Sequence, residues 1–167
     1  MDKFIVEGGH SLKGDFTPSG NKNAALPLLA ATLLTSEPIV LHNMPNILDV
    51  LAMKNLMESL GVTIEIRNIN SWHIQAKDIS FKNLDPDLCR RIRASILLAG
   101  PMVARTGNLI LPPPGGDVIG RRRLDTHILA LKKLGVEVTY DRSFHFYANS
   151  LSGADILLDE ASVTATE

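Results

Sequence analysis

The chain has little of what disulfide, metal, membrane or nucleic-acid chemistry would need. A single cysteine, Cys89, excludes an internal disulfide and fits a reducing compartment. The five histidines, His10, His42, His73, His127 and His145, are scattered without ligand spacing, which speaks against a metal site. No apolar run approaches the roughly 18 residues of a membrane span, and the opening residues do not read as a signal sequence. Lys and Arg number 17 against 18 Asp and Glu, for a formal net charge of -1. A broad positive field for nucleic acid is therefore missing. These absences lead to the expectation of a cytoplasmic protein with no membrane or nucleic-acid partner and no metal site.

What is present is one ordinary core and two local groups of cations. With 167 residues, 45% of them hydrophobic, the chain is long enough to bury a core. The arginines gather at Arg90, Arg91 and Arg93 and again at Arg121 to Arg123. Local clusters in a near-neutral chain favour a small anionic ligand. The second cluster ends a Pro/Gly loop, Leu111-Pro112-Pro113-Pro114-Gly115-Gly116-Asp117-Val118-Ile119-Gly120, just ahead of an amphipathic segment. Prolines stiffen such a loop, glycines let backbone amides approach a ligand, and arginines supply fixed positive charge. The plainer reading is a solvated loop with a basic patch.

The same order of elements occurs twice. The first copy opens with an apolar helix from Lys22 to about Leu34, then a strand at 38–41. Asn46 can cap a second helix with Leu48, Leu51, Met53, Leu56 and Leu60 on its core face, and Gly61 stops it. Strands 62–66 and 72–76 pair across a polar turn. In the second copy a helix spans about Leu88 to Val103, followed by a strand at 108–111 and the Pro/Gly loop. Asp125 is placed as the cap of a helix ending at Leu134-Gly135, and strands 136–140 and 144–148 close the unit. Leu60-Gly61-Val62 and Leu134-Gly135-Val136 lie 74 positions apart, whereas the first strands, ending at Leu41 and Leu111, lie 70 apart. Four extra residues thus fall between strand and second helix of the second copy, which is where the Pro/Gly/Asp/Arg loop lies. A duplicated scaffold with one enlarged loop suggests a grafted site.

After a strand at 156–158, Ser162-Val163-Thr164-Ala165-Thr166-Glu167 reads as the start of a third such helix. The chain is expected to be a fragment on that ground. The opening strands, Phe4 to Glu7 and Leu12 to Phe16, fit neither copy and are expected to pair elsewhere.

Four motifs together resemble the enolpyruvyl transferases: Ser19-Gly20-Asn21-Lys22-Asn23-Ala24-Ala25-Leu26-Pro27, Arg93-Ala94-Ser95-Ile96, Pro114-Gly115-Gly116-Asp117-Val118-Ile119-Gly120 and Leu124-Asp125-Thr126-His127. Their order and spacing are family-like over essentially the whole chain. The resemblance implies an α/β (α+β) fold, the inverted α/β prism, with two lobes of three βαβαββ-type units each. Residues 1–21 would then belong to the second lobe and 22–167 to an incomplete first lobe. Its units would run from about 22 to 85 and from 86 to 150, with a third beginning at 151. The missing C-terminal part of the same protein would be the chain's partner.

The chemistry implied is attack of the 3′-hydroxyl of UDP-N-acetylglucosamine on carbon 2 of phosphoenolpyruvate, protonation of carbon 3, and expulsion of phosphate, with no metal or organic cofactor. The related alternatives are another acceptor, such as shikimate 3-phosphate, or a noncatalytic nucleotide-sugar-binding paralogue. By the resemblance, Lys22 and Asn23 hold phosphoenolpyruvate at a helix start, where a cation and unpaired amides both suit an anion. Arg93 lies at the substrate site, and Arg122 contacts phosphate groups through a guanidinium suited to paired hydrogen bonds. Arg123, Leu124, Asp125 and Thr126 surround the uracil, with Arg123 standing where relatives usually carry proline. Ser162, Val163 and Thr164 approach the diphosphate. Asp117 takes the position of the general acid, where many members have the cysteine that fosfomycin alkylates and others have aspartate. Burial would raise the pKa of Asp117 and nearby arginines would lower it.

Overall fold

A computed structural model of the chain describes residues 3–68, 70–80, 84–116 and 124–167. Helix α1 spans Lys22–Ala31 and runs on into a 3-10 turn, Thr32–Leu34. Asn21 starts it: its side chain accepts from the amides of Asn23 at 2.7 Å and Ala24 at 3.3 Å, satisfying donors that a helix start leaves unpaired. Strand β1 (Ile39–Leu41), helix α2 (Leu48–Ser59) and strands β2 (Thr63–Asn68) and β3 (Ser71–Gln75) complete the first unit. The second unit contains α3 (Pro86–Arg91), a 3-10 segment (Arg93–Leu98), α4 (Ala99–Thr106), β4 (Asn108–Leu111), α5 (Asp125–Lys133), β5 (Glu137–Tyr140) and β6 (Phe144–Tyr147).

The duplication read from the sequence is physical. Both sheets are three-stranded and antiparallel, with the last strand in the middle: β1-β3-β2 and β4-β6-β5. Their central strands bury matching positions, Trp72 and Ile74 in one and Phe146 in the other. The exits of α2 and α5 coincide in detail. Gly61 and Gly135 take φ of 99° and 100°, a left-handed geometry that glycine adopts without steric cost. The amides of Val62 and Val136 return to the carbonyls of Met57 and Leu131 at 3.2 and 3.0 Å.

One continuous core joins the two units, and it includes Leu29, Leu33, Met53, Leu56, Leu98, Met102 and Leu109. Arg105 adds a polar staple, donating to the carbonyls of Leu33 at 2.7 Å and Ala76 at 3.2 Å. Cys89 belongs to this core, and burial, with help from Asp85, pushes its thiol up to about 12.

Several expectations need correction. The helix placed over 88–103 is three pieces, because Ile92 is extended at φ -134°, ψ 135°. Its cap is Asp85, whose side chain accepts from the Asp87 amide at 2.7 Å, and Pro86 occupies the first turn, where its missing N–H costs nothing. Arg90 and Arg91 therefore end a helix, where cations suit the dipole, and do not begin one. Asn46 does not cap α2: Ile47 is the capping residue and offers no side-chain acceptor. Leu48, assigned to the core face, is 83% exposed at the first position of α2. Asp125 is the first residue of α5 and Leu124 its cap, so the carboxylate acts within the first turn.

The segments 4–7, 12–16 and 156–158 form no strand. Phe4, Ile5, Val6, Leu12 and Phe16 stand out from the body with exposures of 87 to 97%, and among the described residues the ladders of both sheets run only between strands of the set β1 to β6. A strand needs an edge to pair with, and alternation of residue types does not supply one. The helix start read at 162–167 does form: α6 covers Val163–Thr166, with Ser162 as its cap, its hydroxyl accepting from the Ala165 amide at 3.4 Å.

Candidate functional site

The candidate residues lie at element starts and at the anchors of the long loop. Lys22 is the first residue of α1, and its Nζ is 2.8 Å from Oδ2 of Asp49 in the first turn of α2. Both side chains are nearly half exposed, so this pair is worth little in stability and leaves the ammonium accessible. Asn23 is exposed one position further on, its side chain left uncommitted by the capping role that Asn21 performs. Gly20, just before them, lies so close to Asn43 that a Cβ would stand 1.8 Å from its carbonyl oxygen. Asn43 is itself left-handed at φ 57°, so a strained connector supports the approach to α1.

The Pro/Gly loop is docked at its base. Extended Ile92 ends α3 early and leaves the carbonyls of Cys89 and Arg90 free of helical partners. Gly115 and Gly116 donate their amides to these carbonyls at 3.1 and 2.9 Å. A Cβ on Gly115 would come within 1.8 Å of the Arg90 oxygen. Gly116 covers half-buried Arg93, whose amide nitrogen would be 3.1 Å from a Cβ there. The Arg93-Ala94-Ser95-Ile96 motif and the Gly115-Gly116 pair thus meet, which their sequence separation did not reveal. Ser95 secures the corner by donating its hydroxyl to the Ile92 carbonyl at 3.1 Å. Arg90 turns away to Asp87 at 2.6 Å, with both side chains largely exposed. Asp117, Arg122 and Arg123, read as general acid, phosphate contact and uracil neighbour, lie outside the described residues.

Beyond the loop, α5 and the start of α6 come together. Half-buried Leu124 accepts the Ile128 amide at 3.0 Å as the first turn of α5 forms. Buried Thr126 donates its hydroxyl to Oδ1 of Asp159 at 2.7 Å. His127, 8% exposed, places Nε2 at 3.1 Å from Thr164 Oγ1. Burial first, and then the Arg93 guanidinium, hold its pKa below the ordinary histidine value, against an opposing pull from Glu160. That influence places Arg93 electrostatically in the same neighbourhood as His127. Leu124 to Thr126 and Ser162 to Thr164, separate in sequence, are therefore tied together, with Val163 exposed between Ser162 and Thr164. Sequence reading left out Asp49, Asp159 and His127's part in this join. The signal for His127 was its place directly after Leu124-Asp125-Thr126.

Groups of three or more His, Cys, Asp or Glu able to hold a metal are absent among the described residues. None of the described helices is long and apolar enough to cross a membrane.

Paired α/β units of one topology, with polar groups gathered at their helix starts, define the repeat fold of the enolpyruvyl transferases. A family model described as EPSP synthase (3-phosphoshikimate 1-carboxyvinyltransferase) matches residues 6–167, and the chain belongs to this family. It is 58% identical over 165 residues to the UDP-N-acetylglucosamine 1-carboxyvinyltransferase of Bradyrhizobium diazoefficiens, covering 99% of this chain and 38% of that protein. Against the enzyme of the same name from Treponema denticola it is 53% identical over 167 residues, covering 100% of this chain and 39% of the relative. The chain thus spans about two-fifths of the length of these relatives. Among solved structures, the enolpyruvyl transferase NikO from Streptomyces tendae superposes with a TM-score of 0.70 at 26% identity, over 87% of this chain and 32% of that one. EPSP synthase from Acinetobacter baumannii gives 0.71 at 18% identity, over 95% of this chain and 38% of its own, which is a likeness of fold alone.

Proposed function

We propose that this chain supplies part of the first lobe of a transferase that moves the enolpyruvyl group of phosphoenolpyruvate to the 3′-hydroxyl of UDP-N-acetylglucosamine, releasing phosphate. In the cytoplasm this reaction feeds peptidoglycan synthesis. The observation that carries the reading is identity of 58 and 53%, along essentially the whole chain, to two enzymes named for that acceptor. A shikimate-type acceptor has only the family model and a fold likeness behind it.

In this reading Lys22 releases Asp49 and, with Asn23, takes the carboxylate and phosphate of phosphoenolpyruvate. The exposed Lys22–Asp49 pair favours such an exchange, because little stability is lost when it opens. Arg93 and Arg122 balance the reactants' negative charge, while Arg123, Leu124, Asp125 and Thr126 take the uracil and Ser162 to Thr164 the diphosphate. Asp117, carried by the loop anchored at Gly115 and Gly116, protonates carbon 3 as the nucleophilic hydroxyl adds to carbon 2. The hydroxyl gives up its proton to a base on the rest of the polypeptide. The tetrahedral adduct then loses a proton from carbon 3 as the bond from carbon 2 to the phosphate oxygen breaks, restoring the double bond and releasing phosphate. The rest of the polypeptide forms the other wall of the site, so the 167 residues alone should turn over negligibly.

The test joins this chain to the remaining part of the Bradyrhizobium relative and measures phosphate release from phosphoenolpyruvate with each acceptor. Turnover with UDP-N-acetylglucosamine is expected; turnover with shikimate 3-phosphate alone would sink the assignment. Binding of the UDP-sugar without turnover would indicate a noncatalytic sensor. Fosfomycin should leave no stable adduct on Asp117, since a carboxylate lacks the thiolate's nucleophilicity towards its epoxide. Intact-mass measurement after incubation checks this.

A further inference from the structure

Residues 149–162 leave the second sheet as irregular backbone; the Ser152 amide ties its start to the Leu134 carbonyl at 3.0 Å, and beyond that point side chains pin it. Two consecutive residues of α5 do so. Thr126 Oγ1 takes Asp159 at 2.7 Å, and His127 Nε2 takes Thr164 at 3.1 Å. Ser162 and Val163 lie between the pinned positions. Thr126 and His127 are buried, at 2 and 8% exposure, while Thr164 is half-buried and Asp159 exposed, so each bond has one buried end and the His127–Thr164 bond is the better shielded from water.

The second bond also has a direction. Nδ1 of His127 is buried with no hydrogen-bond partner among the described residues. A proton there would bury an unsatisfied donor, which is rarer and costlier than an unsatisfied acceptor. The neutral ring therefore carries its proton on Nε2 and donates to the Thr164 hydroxyl oxygen. Thr164, having accepted, keeps its own hydroxyl proton to offer to another acceptor.

We infer that His127 is a positioning residue for the nucleotide sugar: its bond to Thr164, beside the Thr126–Asp159 bond, fixes Ser162 to Thr164 relative to Leu124 to Thr126 and orients the Thr164 hydroxyl as a donor. The inference rests on the UDP-sugar reading above. It assigns specificity to a contact between two protein side chains and not to a substrate contact by the imidazole. A bound UDP-sugar would span the two segments, so loosening one against the other weakens its binding as a unit. Phosphoenolpyruvate, held by Lys22 and Asn23, would be largely indifferent.

The experiment uses the joined enzyme described above and reads KM for each substrate together with the thermal midpoint. His127→Phe and Thr164→Val should each raise the KM for UDP-N-acetylglucosamine about tenfold, the scale of one lost buried hydrogen bond. The phosphoenolpyruvate KM should move less than twofold. The double variant should be no worse than the poorer single one, because both remove the same bond. His127→Gln, which keeps a donor near the Nε2 position, and Thr164→Ser should recover most of the loss. Additive single effects, or equal rises in both KM values following a fall in thermal midpoint, would overturn the positioning role. If the unsubstituted enzyme neither binds nor turns over the UDP-sugar, the functional reading fails first.

Discussion

The two units share a frame and differ in how the first helix meets the loop after the first strand. In the first, α1 continues from Lys22 into its 3-10 end, and a short connector passes close to Gly20 at Asn43. In the second, the equivalent helical segment breaks at Ile92, and the carbonyls exposed by the break become the dock for Gly115 and Gly116. The frame tolerates this because its sheet order, glycine exits and core are set by buried apolar positions remote from the loop. A fold can thus be copied while one joint is rebuilt to hold a longer loop against a half-buried arginine.

The frame itself is the place to expect the largest effects. Ile74 and Phe146, at 1 and 0% exposure, occupy corresponding central-strand positions. Phe146→Ala should cost about 4 kcal/mol and Ile74→Ala about 3 kcal/mol by urea denaturation. A single cooperative transition is expected in both variants, because one core serves both units. Two separated transitions would break the picture of a shared core.

Next come the two close approaches. Gly20→Ala and Gly115→Ala each place a Cβ 1.8 Å from a carbonyl oxygen, of Asn43 and Arg90 respectively. Each should lose about 2–3 kcal/mol. Amide exchange should separate them: Gly115→Ala frees the Gly116 amide, whereas Gly20→Ala leaves it protected. Equal protection at Gly116 in both variants would mean that the dock does not hold the loop. Arg105→Met is expected to follow at about 2 kcal/mol, since it leaves two carbonyls across the unit boundary without their charged donor.

The frame was legible in the sequence because its signals are local and repeated: helical spacing, glycine stops, paired short strands and a constant offset. The joint was not. Nothing in Leu88 to Val103 announces that Ile92 will be extended, because the gain comes from distant partners, the amides of Gly115 and Gly116. Asn46 and Asp125 have the chemistry of helix caps, yet Ile47 and Leu124 take those places, since entry of the chain into each helix decides which residue is last outside it. Residues 4–7 and 12–16 carry strand-like composition without an edge to join. Motif order gave Lys22, Arg93 and the Leu124 to Thr126 turn as candidates; Asp49 and Asp159 could be found only once separate elements were brought together.

The smallest effect concerns pH and separates the join at α5 from the rest. His127 has a folded-state pKa below its ordinary value of 6.5, so the unfolded chain takes up a proton there at a higher pH than the folded one. Its contribution to stability is complete above about pH 6.5 and is lost as pH falls from there towards the lower folded-state value. Arg93 strengthens this trend and Glu160 opposes it, while Asp159 is engaged by Thr126. His127→Gln removes the titrating ring but keeps a hydrogen-bonding group. Urea midpoints of the two chains should therefore run parallel above pH 7 and converge or cross below 6, with the unsubstituted chain falling more steeply. Replacing Glu160 with Gln should leave the onset of that fall near pH 6.5 but carry it to lower pH and make it larger, because a charge favouring the protonated ring is gone and the folded pKa drops further. A fall of the same slope in both chains would show that the imidazole titrates freely, and that the contact to Thr164 does not depend on its being neutral.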